Sequence, residues 1–126
     1  MPQLNPYKQY DAVNFGTADP ASLVVTTYNA AIRSLNEVVR CMNEDDVQGR
    51  VKNVDMAYAL ISELRKSLNP EKGGDIAMKL NSLYEFFVRE ITFANAYNDP
   101  DRLKPVVQIL GELRDTWVEI RKQVTA

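Results

Sequence analysis

A chain of 126 residues, 45% apolar and 25% charged, has the make-up of one globular domain that can bury roughly two-thirds of its unfolded surface. Its net charge of −2, with basic residues spread singly, speaks against nucleic-acid binding, and the absence of histidine removes the commonest general base and metal ligand. A single cysteine, Cys41, allows no internal disulfide and fits a reducing compartment, and a polar start with no apolar run near ~20 residues predicts neither a signal peptide nor a membrane span.

In chain order, Pro2 and Pro6 keep the first residues extended, and Pro6 can open a short helix through Val13. Tyr7, Tyr10 and Val13 would share one side of it, before Phe15-Gly16 breaks it. Residues 1–16 thus read as a cap on a bundle spanning 19–126, the two forming a single domain.

Thr17-Ala18-Asp19-Pro20 is a helix start, with Asp19 as cap and proline in the first turn. The helix should reach Asn43 on a stripe of Leu23, Thr27, Ala31, Leu35, Val38 and Met42, with Val24, Tyr28, Ile32 and Val39 beside it. After a turn, Asp45 or Asp46 caps a second helix over 47–68, carried by Val51, Val54, Tyr58, Ile61, Leu64 and Leu68. Asn69 to Gly74 should end it, the two glycines freeing the backbone for a turn. A third helix then runs from Asp75 to Tyr97 on Ile76, Leu80, Leu83 and Phe87.

The last helix has the cleanest pattern: Leu103, Val106, Leu110, Leu113, Trp117, Ile120 and Val124 alternate steps of three and four. Pro105 conflicts with a continuous helix after Pro100, since an interior proline costs ~3 kcal/mol. Either residues 100–103 form a separate turn and the helix begins near Lys104, or the helix kinks there. Four amphipathic helices joined by short turns predict an all-α, antiparallel up-down-up-down four-helix bundle.

Chemistry is scarce. A di-metal carboxylate bundle needs Glu-x-x-His motifs, which a chain without histidine lacks, and the helix-start aspartates are explained by capping. Cys41 has no partner residue, and no phosphate-loop frame surrounds Gly73-Gly74. The reading is therefore non-enzymatic, with no cofactor or metal. Apolar and aromatic residues exceed what one seam per helix needs, so the flanks are either a wide core face or grooves for a partner's amphipathic helix.

These residues resemble a known family, the flagellin-specific export chaperones called FliS. The likeness begins at Asn5-Pro6-Tyr7 and Tyr10 and continues through Thr17-Ala18-Asp19-Pro20, Leu23-Val24-Val25, Tyr28, Ala31-Ile32 and Leu35. It covers Glu63-Leu64, Ser67-Leu68, the run Glu71-Lys72-Gly73-Gly74-Asp75-Ile76-Ala77, then Leu80 and Leu83-Tyr84-Glu85. Ala94-Asn95, Glu112-Leu113-Arg114-Asp115 and Trp117 complete it. Asn29 departs from the family pattern, where an aspartate is common, and so does Pro105.

The resemblance implies a bundle in the bacterial cytosol that binds the disordered C-terminal segment of flagellin. It would prevent premature polymerisation and aid delivery to the flagellar type III export apparatus, without nucleic acid or membrane insertion. Tyr7 and Tyr10 would belong to a displaceable cap, with contact to the export gate open to them. Leu23, Tyr28, Ile32, Ile76, Leu80 and Leu83 would be the groove contacts. Free protein would be a monomer or a dimer. The competing expectation is a structural or oligomerising bundle that spends its apolar faces on self-association.

Overall fold

The computed structural model describes residues 6–13, 16 and 19–125, the side chains of Lys8 and Thr125 excepted. Asn5, Phe15, Thr17 and Ala18, which carry parts of the expected start and helix break, lie outside the described residues. The helices are α1 (Pro6–Asp11), α2 (Pro20–Asn43), α3 (Val47–Lys66), α4 (Pro70–Tyr97) and α5 (Lys104–Thr125), with a 3₁₀ turn at Pro100–Leu103. The fold is the expected all-α bundle.

Caps set the boundaries. Asp19 accepts from the backbone N–H of Ser22 at 3.3 Å and from its hydroxyl at 2.6 Å, and Pro20 follows in the first turn. These bonds hold the Asp19 carboxyl below its ordinary value of 3.8. Because the folded-state value is depressed, the stabilisation is complete above 3.8 and is lost as pH falls through the lower, folded value. Asp19→Ala is expected to cost about 1 kcal/mol at neutral pH. Asp19→Asn, which keeps the acceptor, should flatten the acid limb of a melting-temperature-versus-pH series.

At the next corner Asp45 takes a positive φ of 56° to make the turn, and Asp46 caps α3 by accepting from Gly49 N at 2.9 Å. Farther on, Asn98 turns left-handed to end α4, and Pro105 sits at the second position of α5, where its missing N–H costs nothing. Residues 100–103 do form a separate turn, which resolves the proline conflict.

The double-glycine segment breaks the helix where expected, but a short capped turn precedes the break. Asn69 caps α4 by accepting from Lys72 N at 3.1 Å, and the helix begins at Pro70. The chain then passes through one non-helical residue, Gly74 at φ 51° and ψ −125°, and resumes. The break expected over residues 69–74 is thus narrowed to Gly74, which parts a short turn over 70–73 from the long helix that follows, because Asn69-Pro70 is itself a cap-plus-proline start. α3 also ends at Lys66, two residues early, freeing Leu68 for another partner.

Antiparallel register is read from polar ties across the bundle. Arg65 reaches Asn81 and Glu85, Tyr58 meets Thr92, and Arg50 donates to the Asn95 carbonyl, so α3 and α4 run in opposite directions. Arg114 donates to Asn29 and Arg121 to Ser22, which does the same for α5 and α2. Exposed pairs such as Arg40 with Glu37 and Glu44 add little.

The core is one cluster threaded through all four long helices and the turn before α5. On α5 it follows the expected seam, with Leu113 and Val124 half-buried. On α4 it follows Ala77, Leu80, Tyr84, Phe87, Ile91 and Ala94, so the buried line is displaced by one residue from the expected Ile76 and Leu83. On α2 it follows Val24 and Tyr28, while Leu23 and Thr27 fall outside it.

Tyr28, Tyr84 and Trp117, from α2, α4 and α5, meet at its centre. The Tyr28 and Tyr84 oxygens lie 2.5 Å apart. Burying two phenols is tolerable because each finds its partner inside. Burial pushes Tyr28 up to about 12 and Tyr84 well above its ordinary 10.0. With folded values raised, the contribution is complete below pH 10.0 and lost as pH rises towards the folded values. Alkaline melts should therefore show stability falling from about pH 10 upward, and Tyr84→Phe should shrink that fall.

Candidate binding surface

α1 is the outlier of the fold. Direct approach between α4 and α5 is sparse, and α1 lies against both. It buries Gln9, and the residues just after it, Ala12 and Val13, are buried too; Tyr10 is half-buried and Tyr7 remains 62% exposed. The expected Tyr7–Tyr10–Val13 side is therefore rotated outward at its first member. Six residues cannot sustain a helix alone, so α1 persists only through its seat. The fit is incomplete: a cleft of about 210 Å³ remains between Pro6 and Thr116, Glu119, Ile120 and Gln123 of α5.

Beyond α1 the chain is fastened to the α3–α4 corner. Val13 pairs antiparallel with Leu68, and Asn69 N donates to the Ala12 carbonyl at 2.7 Å. Residues 6–13 thus form a strap over the α4–α5 side of the bundle.

The structure sorts the expected contact residues by access. Tyr28 is fully buried and Leu80 is 9% exposed, so both lie in the core. Ile76 and Leu83 are half-buried beside that core on one flank of α4. Leu23 is 40% exposed and Ile32 half-buried. Nine residues at about 100° each put Leu23 and Ile32 on opposite flanks of α2. Ile76 and Leu83 therefore share a face, whereas Leu23 and Ile32 do not.

One apolar feature escaped the sequence reading. Phe93 and Tyr97 stack on the outside of α4 with ring centroids 5.9 Å apart, and the Arg102 guanidinium lies 4.9 Å from the Phe93 ring centre. The available signal was two aromatics four residues apart and off the core line.

Cys41 lies beside Arg40 and Asp46 at the α2–α3 corner. Cys41 is 1% exposed, and burial pushes its thiol up, away from the reactive thiolate. Among the described residues, no three metal-ligating side chains converge, and no helix is long and apolar enough to cross a membrane. What the surface offers is apolar contact area: half-buried flanks, exposed aromatics and a short strap laid across two helices.

The fold is an all-α bundle that leaves half-buried apolar flanks and exposed aromatics at its surface. A family model, that of the flagellar protein FliS, matches residues 3–124, and the chain belongs to this family. It is 35% identical over 103 residues to the flagellar secretion chaperone FliS of Vibrio cholerae, covering 82% of this chain and 76% of that protein. Its counterpart of the same name in Campylobacter jejuni is 28% identical, covering 94% and 93%. That of Bacillus subtilis is 26% identical, covering 90% and 84%.

Proposed function

We propose that this protein is a cytosolic flagellar export chaperone that binds the disordered C-terminal segment of flagellin. It holds the segment back from polymerisation and aids its delivery to the flagellar type III export apparatus, with no enzymatic step and no cofactor. The observation that carries this reading is the family match along nearly the whole chain, to relatives named as flagellar secretion chaperones. The apolar flanks support it, because a client that assembles through apolar helix faces needs them covered while it is still monomeric.

In this reading Ile76 and Leu83 form the contact stripe on α4, and Leu23 and Ile32 make separate contacts on opposite flanks of α2. Tyr28 and Leu80 act from within, by holding the helices that carry the stripe. Tyr10 belongs to the strap a client displaces, and Tyr7, exposed on it, is available to the export gate. Ordering a disordered client costs about 2–5 kcal/mol, which a few buried side chains at about 1.5–3 kcal/mol each offset.

Size-exclusion chromatography with light scattering tests this. A mixture with the flagellin C-terminal segment should elute as a one-to-one complex. A self-associated bundle indifferent to the segment would instead support the oligomerising alternative.

A further inference from the structure

The two adjacent glycines are glycine for different reasons. Gly74 needs its positive φ of 51°, yet a Cβ there would meet nothing within 4 Å. Gly73 is the reverse. Its φ lies outside the left-handed range, but a Cβ there would lie 2.7 Å from both Cα and Cβ of Ala12 and 3.0 Å from Cβ of Ala77. Real Cβ atoms essentially never come within 3.0 Å of a backbone atom, so any side chain at Gly73 forces one of the two segments to move.

We propose that Gly73 is the latch seat of the strap: its missing side chain lets Ala12 close against α4, and this contact sets how often residues 6–13 lift from the α4–α5 side. Three consecutive fastenings converge here. Ala12 rests on Gly73, the Ala12 carbonyl accepts from Asn69 N, and Val13 pairs with Leu68. Asn69 is shared, since the residue whose N–H holds the strap also caps α4 and accepts from Gly73 N through its carbonyl at 2.7 Å. The strap is therefore fastened to the element whose kink the glycine pair creates.

When this contact is crowded, the strap gives way. Gly73 closes a turn over 70–73 that Asn69 caps and that runs on, past the break at Gly74, into the long body of α4. α1 has six residues and no stability of its own. Anything that competes with α1 for its seat binds with an apparent affinity scaled by the fraction of molecules in which the strap is open. Gly73 then works as a set-point that keeps the seat covered until a competitor arrives. Only this last consequence rests on the chaperone reading; the latch itself does not.

Hydrogen exchange on full-length Gly73→Ala decides it. The amides of Ala12, Val13 and Asn69, bonded to Gln9, Tyr10 and Ala12 carbonyls, should exchange at least tenfold faster than in the unmodified protein. Amides of α2 and α5 around Tyr28 and Trp117 should keep their rates. Ala12→Leu crowds the same contact from the strap and leaves α4 untouched, so it should give the same result even where Gly73→Ala folds poorly. Unchanged strap exchange in the folded variants overturns the latch, and so does acceleration spread evenly through α2 and α5. In a binding arm, a flagellin C-terminal segment should bind Gly73→Ala more tightly by the factor of added opening. Faster strap exchange with unchanged affinity overturns the gating role. If the segment binds neither protein, the chaperone reading fails, while the exchange result still decides the latch.

Discussion

Trp117→Ala should be the most damaging single truncation in this chain, lowering stability by about 3–5 kcal/mol. The side chain is 1% exposed, so the change opens a large cavity in the core. Set against a total of about 5–15 kcal/mol for a domain of this kind, that loss leaves a marginal fold. The melting temperature should drop on the order of 10 °C or more, followed by far-ultraviolet circular dichroism because the chain's only tryptophan is the residue removed. Trp117→Phe retains most of the packing and should cost much less, on the order of 1–2 kcal/mol. Equal losses for the two variants would mean that ring volume does not decide the cost.

Leu83→Glu should produce the largest loss of client affinity at small cost to the bundle. Leu83 is half-buried, one position away from the buried Tyr84, so a carboxylate there can reach water in the free protein. Under a bound apolar helix it cannot. Losing the burial of one leucine is worth about 1.5–3 kcal/mol, and an unpaired charge adds to that. Binding of the flagellin segment should weaken by about a hundredfold or more, since each 1.4 kcal/mol is about tenfold. The measurement is an affinity titration beside a thermal melt. A melt that falls as steeply as the affinity would assign Leu83 to the core, and unchanged affinity would remove it from the contact stripe.

These two residues also show where the sequence was legible. Trp117 lies on α5, whose three-four spacing fixed its buried face and whose Pro105 announced the separate turn before it. Caps were equally readable at Asp19 and Asp46, whose side chains bond a backbone N–H three residues on, whereas Asp99 makes no side-chain cap bond. The face of α4 was less so. Ile76 and Leu83 look more apolar than Ala77 and Tyr84, yet Ala77 and Tyr84 are the buried pair. Tyr84 can be buried because Tyr28, 56 residues earlier, supplies its hydrogen-bond partner, and no local pattern reveals that. Gly73 was hidden for the same reason: a glycine beside a glycine reads as a turn, while its constraint comes from Ala12 on a distant segment. The surface followed from the same displacement, since residues expected to be core on α4 are those left on its flank.

Capture of a disordered flagellin tail is decided by titration calorimetry of the protein with the C-terminal flagellin segment of its own organism. Saturable one-to-one binding is expected, with a negative heat-capacity change and a gain in helical circular dichroism beyond the sum of the separate components. No heat and no gain in helix at about 100 μM of each component, where even a complex of ~1 μM dissociation constant would be nearly saturated, would contradict it.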